Sequence, residues 1–188
     1  AAELGMVIKL LAVAVRQGDA IELRVHPGMM AKSHPLAAVR DAYNAVFVRG
    51  DAAGELMFYG SGAGQMPTAS AVVADVVDAC QDIHRGVSGR LLSDPQRLEI
   101  ARIDDAVCRY YVATHVVDQP GVLAAIAGVF SHHQVSIETC IQKGRDADPV
   151  DLIFITHSVR EGDIRAALLE IEALPIVREV ASVIRLVS

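Results

Sequence analysis

No strictly apolar run in this 188-residue chain exceeds six residues, the length of Leu10–Val15. A bilayer-spanning helix needs about 18 or more, so a transmembrane helix is excluded. Basic residues are in deficit, with 17 Lys+Arg against 23 Asp+Glu and a formal net charge of -6. Up to Arg90, eight basic residues face nine acidic ones; beyond it, nine face fourteen. Neither part carries the basic footprint that a nucleic acid or an anionic membrane surface requires. Cysteine is scarce and odd in number. Cys80, Cys108 and Cys140 lie far apart and form no CxxC. They give no disulfide framework, and a reducing cytoplasm is the expected compartment. The first residues lack the basic segment, apolar stretch and cleavage site of a signal peptide. They also lack an initiator Met and open on the amphipathic AAELGMVIKLL, which reads as the middle of a gene product.

What is present is apolar enough to fold. Hydrophobic residues make up 52% and charged residues 21%, a balance that disordered chains do not reach. At roughly 100–200 residues per domain, the length allows one domain or two small ones. Ile8–Gln17 is an apolar run stopped by the turn pair Gly18-Asp19. In AIELRVHPGMM, Ile21, Leu23 and Val25 alternate with Glu22, Arg24 and His26, the period of a half-buried strand. NAVFVRG and ELMFY, joined by DAAG, read as a hairpin. After Gly60-Ser61-Gly62-Ala63-Gly64 comes a helix. Pro67 suits its first turn, and Gly86 is a natural stop. Asp75, Asp78 and Asp82 share a face of it that reads as solvated.

Periodicity fades from Val87 to about Asp105, where SGRLLSDPQR has linker composition. Beyond it, strands are expected at Tyr110–Val117, Val135–Gln142, Val150–Ser158 and Ile176–Val187. Helices are expected at Gln119–His133 and Asp163–Ala173. The order βαββαβ is the ferredoxin-like arrangement, an antiparallel sheet with both helices on one face. The fold class is thus α+β.

Few residues carry chemistry. The triple-glycine loop between strand and helix can bring backbone amides close to an anion or a flat ring. It is not a dinucleotide fingerprint, since Gln65 stands where the third glycine would be, and no Gly-Lys-Ser/Thr follows. A tight turn accounts for it equally well. In Asp118-Gln119-Pro120-Gly121-Val122, Asp118 can cap the following helix. Gly121 would let a carboxylate approach the first-turn amides, although a capped helix without ligand fits the same residues. The seven histidines form no cluster with metal-ligand spacing, so no metal ligand is expected. His132-His133 suits a helix C-terminus. Glu99, Asp104 and Asp105 read as solvated charges. No side chain stands out for proton transfer.

Two stretches carry a resemblance. AELGMVIKLLAVA and NAVFVRGDAAGELMFYGSGAGQMPTASAVVADVVD, above all its GAGxxPTASAVVxD part, resemble the later catalytic domain of homoserine dehydrogenases. The segment from YYVATHVVDQPGVLAAIAGVF to IRAALLEIEAL resembles the regulatory ACT domain that ends many bacterial members. The resemblance implies a partial catalytic-domain sheet with a helix over residues 1–87, a linker over 88–107 and a ferredoxin-like ACT domain over 108–188. It implies NAD(P)-dependent interconversion of L-homoserine and L-aspartate 4-semialdehyde, on the way to threonine and methionine. The parent enzyme would be a cytoplasmic homo-oligomer regulated by threonine.

By the same resemblance, Gly64 matches the last glycine of a loop that contacts the nicotinamide cofactor. Asp118, Gln119, Pro120, Gly121 and Val122 match an effector loop, and Gln142 the strand end facing it. The family's catalytic lysine and homoserine-binding carboxylates belong to a segment ahead of this one. Lys9, Lys32 and Lys143, the three lysines here, lie outside any such motif. No catalytic residue is therefore assigned. The stretch by itself is expected to be inactive and to bind no cofactor. A stand-alone, non-catalytic amino-acid sensor is the competing class.

Overall fold

The computed structural model describes residues 1–87, 97–144 and 149–187. They divide into two compact units. One combines Ala1–Lys32 with Leu98–Ser188, and the other is Ser33–Arg97. Residues 88–96 of the expected linker, SGRLLSDPQ, lie outside the described residues.

In the first unit, β1 (Met6–Gln17) and β2 (Ala20–Ala31) form an antiparallel hairpin. Gly18 supplies the positive φ, 62°, that a two-residue hairpin loop demands. In the second unit, β3 (Tyr43–Gly50) and β4 (Gly54–Ser61) form a separate hairpin, from Tyr43 opposite Ser61 to Gly50 opposite Gly54. Tyr43 stacks on Tyr59 across it, with ring centroids 5.0 Å apart. Helix α1 (Gln65–Arg85) follows and ends at Gly86, which takes the left-handed φ of 69° expected of a helix stop. None of its residues is buried.

Back in the first unit come β5 (Glu99–Ile100), β6 (Val107–Val116), α2 (Val122–His132), β7 (Ile137–Lys143), β8 (Val150–Thr156), β9 (Val159–Arg160), α3 (Glu161–Glu172) and β10 (Val177–Val187). The main sheet runs β1-β2-β10-β6-β8-β7. Its last four strands have the ferredoxin-like order, each pair antiparallel. The helices pack on the face that presents Tyr110, Val112, Val116, Leu152 and Phe154. Val122, Ile126, Val129 and Phe130 descend from α2, and Ile164, Ala167 and Ile171 from α3.

The β1–β2 hairpin extends this sheet. β2 pairs in parallel with β10 from Gly28–Arg185 to Met30–Val187. The close packing there needs Gly28, where an added Cβ would lie 2.7 Å from Leu11 Cδ1 and 3.0 Å from Val187 Cγ2.

The alternation in β2 is present, but its polar side is the buried one. Glu22 and His26 are 3% and 6% exposed, whereas Leu23 and Val25 are 53% and 72% exposed. Partners make this burial possible, because a buried charge is costly unless paired. Arg24 Nη1 lies 2.6 Å from Glu22 Oε1 and 2.8 Å from Cys108 Sγ, and Gln17 Nε2 donates to Glu22 Oε2 at 3.0 Å.

A second buried polar group joins β6, α3 and β10. Glu161 Oε2 accepts from the Tyr110 hydroxyl at 2.5 Å and from Arg185 Nε and Nη2 at 2.9 and 2.7 Å. Burial, with the Glu161 carboxylate beside it, pushes the Tyr110 hydroxyl well up, so it remains a donor.

Asp104 and Asp105 are not merely solvated. Asp104 Oδ1 lies 2.9 Å from Arg165 Nη1, and Asp105 pairs with Arg160, tying the segment before β6 to α3 and its N-cap.

Candidate functional site

The loop between β6 and α2 borders a recess of about 280 Å³. Its lining includes Asp118, Gln119, Pro120, Gly121, Val122 and Gln142, all six residues of the expected effector set. Val150 and Leu152, both buried, supply apolar wall from β8. Asp118, Gln119 and Gln142 are exposed. Polar groups at the mouth and aliphatic side chains behind them suit a small amphiphilic ligand.

The helix begins later than the sequence implies. Gly121, not Asp118, is the N-cap, and no side chain caps α2. The reason lies in the backbone. Gly121 has φ 93°, a left-handed conformation that a helix cannot pass through. Upstream, the Gln119 amide turns back to the Val117 carbonyl at 3.1 Å, and the Val122 amide reaches the Gln119 carbonyl at 3.4 Å. The first bond of the helix proper runs from the Ala125 amide to the Gly121 carbonyl at 2.9 Å. Helix geometry gives the Leu123 and Ala124 amides no acceptor within α2. These, rather than amides at Gln119, are available to an anion. Asp118 is thereby released from capping.

The glycine loop lies in the other unit. Gly62 donates its amide to the Ala42 carbonyl at 3.1 Å, and an added Cβ would fall 1.6 Å from Asn44 Nδ2. Gly64 is the N-cap of α1 with φ 130° and accepts from the Thr68 amide at 3.0 Å. Close packing at Gly62 and dihedral demand at Gly64 thus have local causes. Gly64 is also exposed and carries no side chain, so a flat ring could approach its backbone.

Residues 1–77 match the family model described as homoserine dehydrogenase, and residues 110–176 match the ACT domain model. The homoserine dehydrogenase of Synechocystis sp. is 44% identical over 195 residues, covering 98% of this chain and 45% of the relative. That of Corynebacterium glutamicum is 43% identical, covering 99% and 43%. The crystal structure of a homoserine dehydrogenase from Thiobacillus denitrificans superposes with a TM-score of 0.89 at 38% identity, covering all of this chain and 44% of that one. The chain joins a homoserine dehydrogenase segment to an ACT domain. It spans less than half the length of the relatives it matches. No described helix is long and apolar enough to cross a membrane.

The homoserine dehydrogenase segment does not stop at the edge of the ACT sheet. Its strands β1 and β2 continue that sheet through the β2–β10 pairing. Lys143, next to Gln142, forms an ion pair with Glu3, just ahead of β1. The end of β7, beside the recess, is thus tied by charge to the residues just ahead of β1.

One grouping was invisible in the linear spacing. His132 and His133, at the end of α2, meet Glu170 of α3. Glu170 lies 37 residues beyond His133, and only the α2–α3 packing brings it near. The seven histidines are therefore not all ordinary isolated ones.

Proposed function

We propose that this chain is the effector-binding, C-terminal part of a cytoplasmic, homo-oligomeric homoserine dehydrogenase. The intact enzyme would interconvert L-homoserine and L-aspartate 4-semialdehyde with NAD(P), and threonine would be its feedback effector. The recess carries this reading, because it gathers the whole expected effector set at the start of α2. The Leu123 and Ala124 amides suit the ligand carboxylate. Asp118 suits the ammonium, and Gln142 can donate to or accept from the hydroxyl. The match of residues 1–77 favours this reading over a stand-alone sensor.

Melting the chain with and without threonine tests it. At a hundred times its dissociation constant, a ligand bound only by the folded state stabilises by about 2.7 kcal/mol. That is a rise of roughly 5–15 °C for units of this size. Asp118→Ala should weaken threonine roughly 10–150-fold, the worth of one charge-assisted hydrogen bond. Valine, which has the shape but lacks the hydroxyl, should shift the transition less. No shift with threonine would show that the domain does not bind it, and an undiminished shift in both Asp118→Ala and Gln142→Ala would place the effector elsewhere. An equal shift from valine would remove the role given to Gln142.

Bound NAD(P) supplies the hydride acceptor. This chain's contribution would be the backbone at Gly64, where a flat ring can approach without meeting a side chain. In the full-length enzyme, Gly64→Val is expected to lower kcat/KM for the cofactor roughly 100-fold, the cost of about 1 Å of misplacement. The φ of 130° strains any side chain there, so the thermal transition must be recorded alongside. Normal cofactor kinetics in the folded variant would reduce Gly64 to a turn residue.

A further inference from the structure

The geometry at the ends of α2 and α3 points to a metal site. We propose that His132, His133 and Glu170 bind a first-row divalent cation, Zn²⁺ being the best fit, and that the ion clamps α2 to α3. His133 Nε2 lies 2.7 Å from Glu170 Oε2, and His132 Nδ1 lies 3.6 Å from the same oxygen. One ligand atom from each residue falls within a 4.8 Å group. Around a tetrahedral Zn²⁺ with bonds of about 2.0–2.2 Å, ligand atoms stand roughly 3.3–3.5 Å apart. The three atoms bracket that spacing and need only small rotations to meet it.

Consecutive residues inside a helix do not face the same point. These two do so because the helix ends between them. His132 is the last helical residue and His133 the C-cap. The next residue, Gln134, takes a left-handed φ of 58°, and the Val135 amide returns to the Phe130 carbonyl at 2.8 Å. This closure fixes the backbone of His133, while the two rings sit with centroids 5.0 Å apart. Glu170 comes from the opposite helix, so the ligand set spans the α2–α3 packing. Two imidazoles and one carboxylate suit Zn²⁺, with Cu²⁺ and Ni²⁺ as competitors. His132 and Glu170 are exposed, leaving the fourth position to water. The site stands apart from the recess, and its test is independent of threonine.

Chelator-treated protein should be titrated with Zn²⁺ against a chromophoric competitor. Co²⁺ serves as the spectroscopic probe. One equivalent should bind at micromolar or lower concentration, with tetrahedral Co²⁺ bands and no thiolate charge-transfer band. His133→Ala, His132→Ala and Glu170→Gln should each weaken binding by at least about 100-fold, the upper end of what loss of an outer-shell partner costs. Circular dichroism should show these surface variants folded. Cys80 and Cys140 are also exposed, so a Cys80→Ser/Cys140→Ser protein provides the control and should bind unchanged. Binding that survives the triple His132→Ala/His133→Ala/Glu170→Gln change, disappears in the cysteine variant, or needs millimolar metal overturns the proposal.

Discussion

Glu161→Ala is expected to destabilise the unit containing the ACT sheet by about 3–5 kcal/mol, the cost of leaving one partner of a buried ion pair alone. Glu161 is buried, and a single carboxylate oxygen receives Tyr110 from β6 and both Arg185 donors from β10. Removing it strands the guanidinium over the Tyr110 ring, 5.9 Å from its centroid. The phenol is left without its acceptor. A urea titration should show a lower midpoint with an unchanged slope. A change below about 1 kcal/mol would mean that water or a side-chain shift replaces the carboxylate, and that these three residues do not hold the strands together.

The same group makes stability depend on pH, and two residues contribute with the same sign. Burial pushes the Glu161 carboxyl up, but the hydrogen bonds from Tyr110 and Arg185 and the nearby arginine charges outweigh it. Its pKa is therefore lowered. A carboxyl lowered in the folded state contributes stability above its unfolded pKa and loses it as pH falls through the folded value. His26 is lowered by burial and by Arg185 and Arg24, against the opposing Pro27 carbonyl and Glu161. It is buried neutral, and its Nε2 has no partner among the described residues. The unfolded imidazole takes up a proton near pH 6.5, so stability should begin to fall below about that pH. Glu161→Gln should flatten the decline in the carboxylate range, and His26→Gln the part that starts earlier. Parallel declines in both variants and the parent would assign acid lability elsewhere.

Neither buried group was legible as such in the sequence. The alternation of β2 identified a strand, but alternation does not state which side is covered. Leu23 and Val25 resemble a core face until Arg24 is seen against Cys108, 84 residues away. Tyr110, Glu161 and Arg185 are likewise separated along the chain and joined only by the β10–β6 pairing and the start of α3. What could be read was local or periodic. The βαββαβ order, the Gly18 hairpin and the Gly86 stop depend on neighbours within a few positions. Asp118 has the chemistry of a cap and suggests an earlier start for α2, but the dihedral at Gly121 decides where the helix can begin. The members of the recess came from a resemblance. Their common position, with Gln142 across from the loop, follows from strand pairing that spacing does not encode.

Phe130→Ala is expected to cost about 3–5 kcal/mol, as is usual for an aromatic residue truncated in a packed core. Phe130 on α2 and Phe154 on β8 are fully buried and meet edge to face, with centroids 5.3 Å apart and planes at 72°. Together they seat the helix on the middle of the sheet. Each lies on an element that also lines the recess, through Val122 at the start of α2 and Val150 and Leu152 on β8. Loss of the ring should therefore loosen the walls as well as lower the global transition. The Phe130→Leu/Phe154→Leu double-mutant cycle isolates the ring–ring contribution, expected at about 0.5–1.5 kcal/mol beyond buried area. In Phe130→Leu, which retains most of the volume and should remain folded, the thermal shift caused by threonine should shrink relative to the parent. An unchanged shift together with a lowered transition would show that this core sets stability while the recess is held by its own loop. Single changes costing under 1 kcal/mol would show that α2 is not seated on the sheet by this pair.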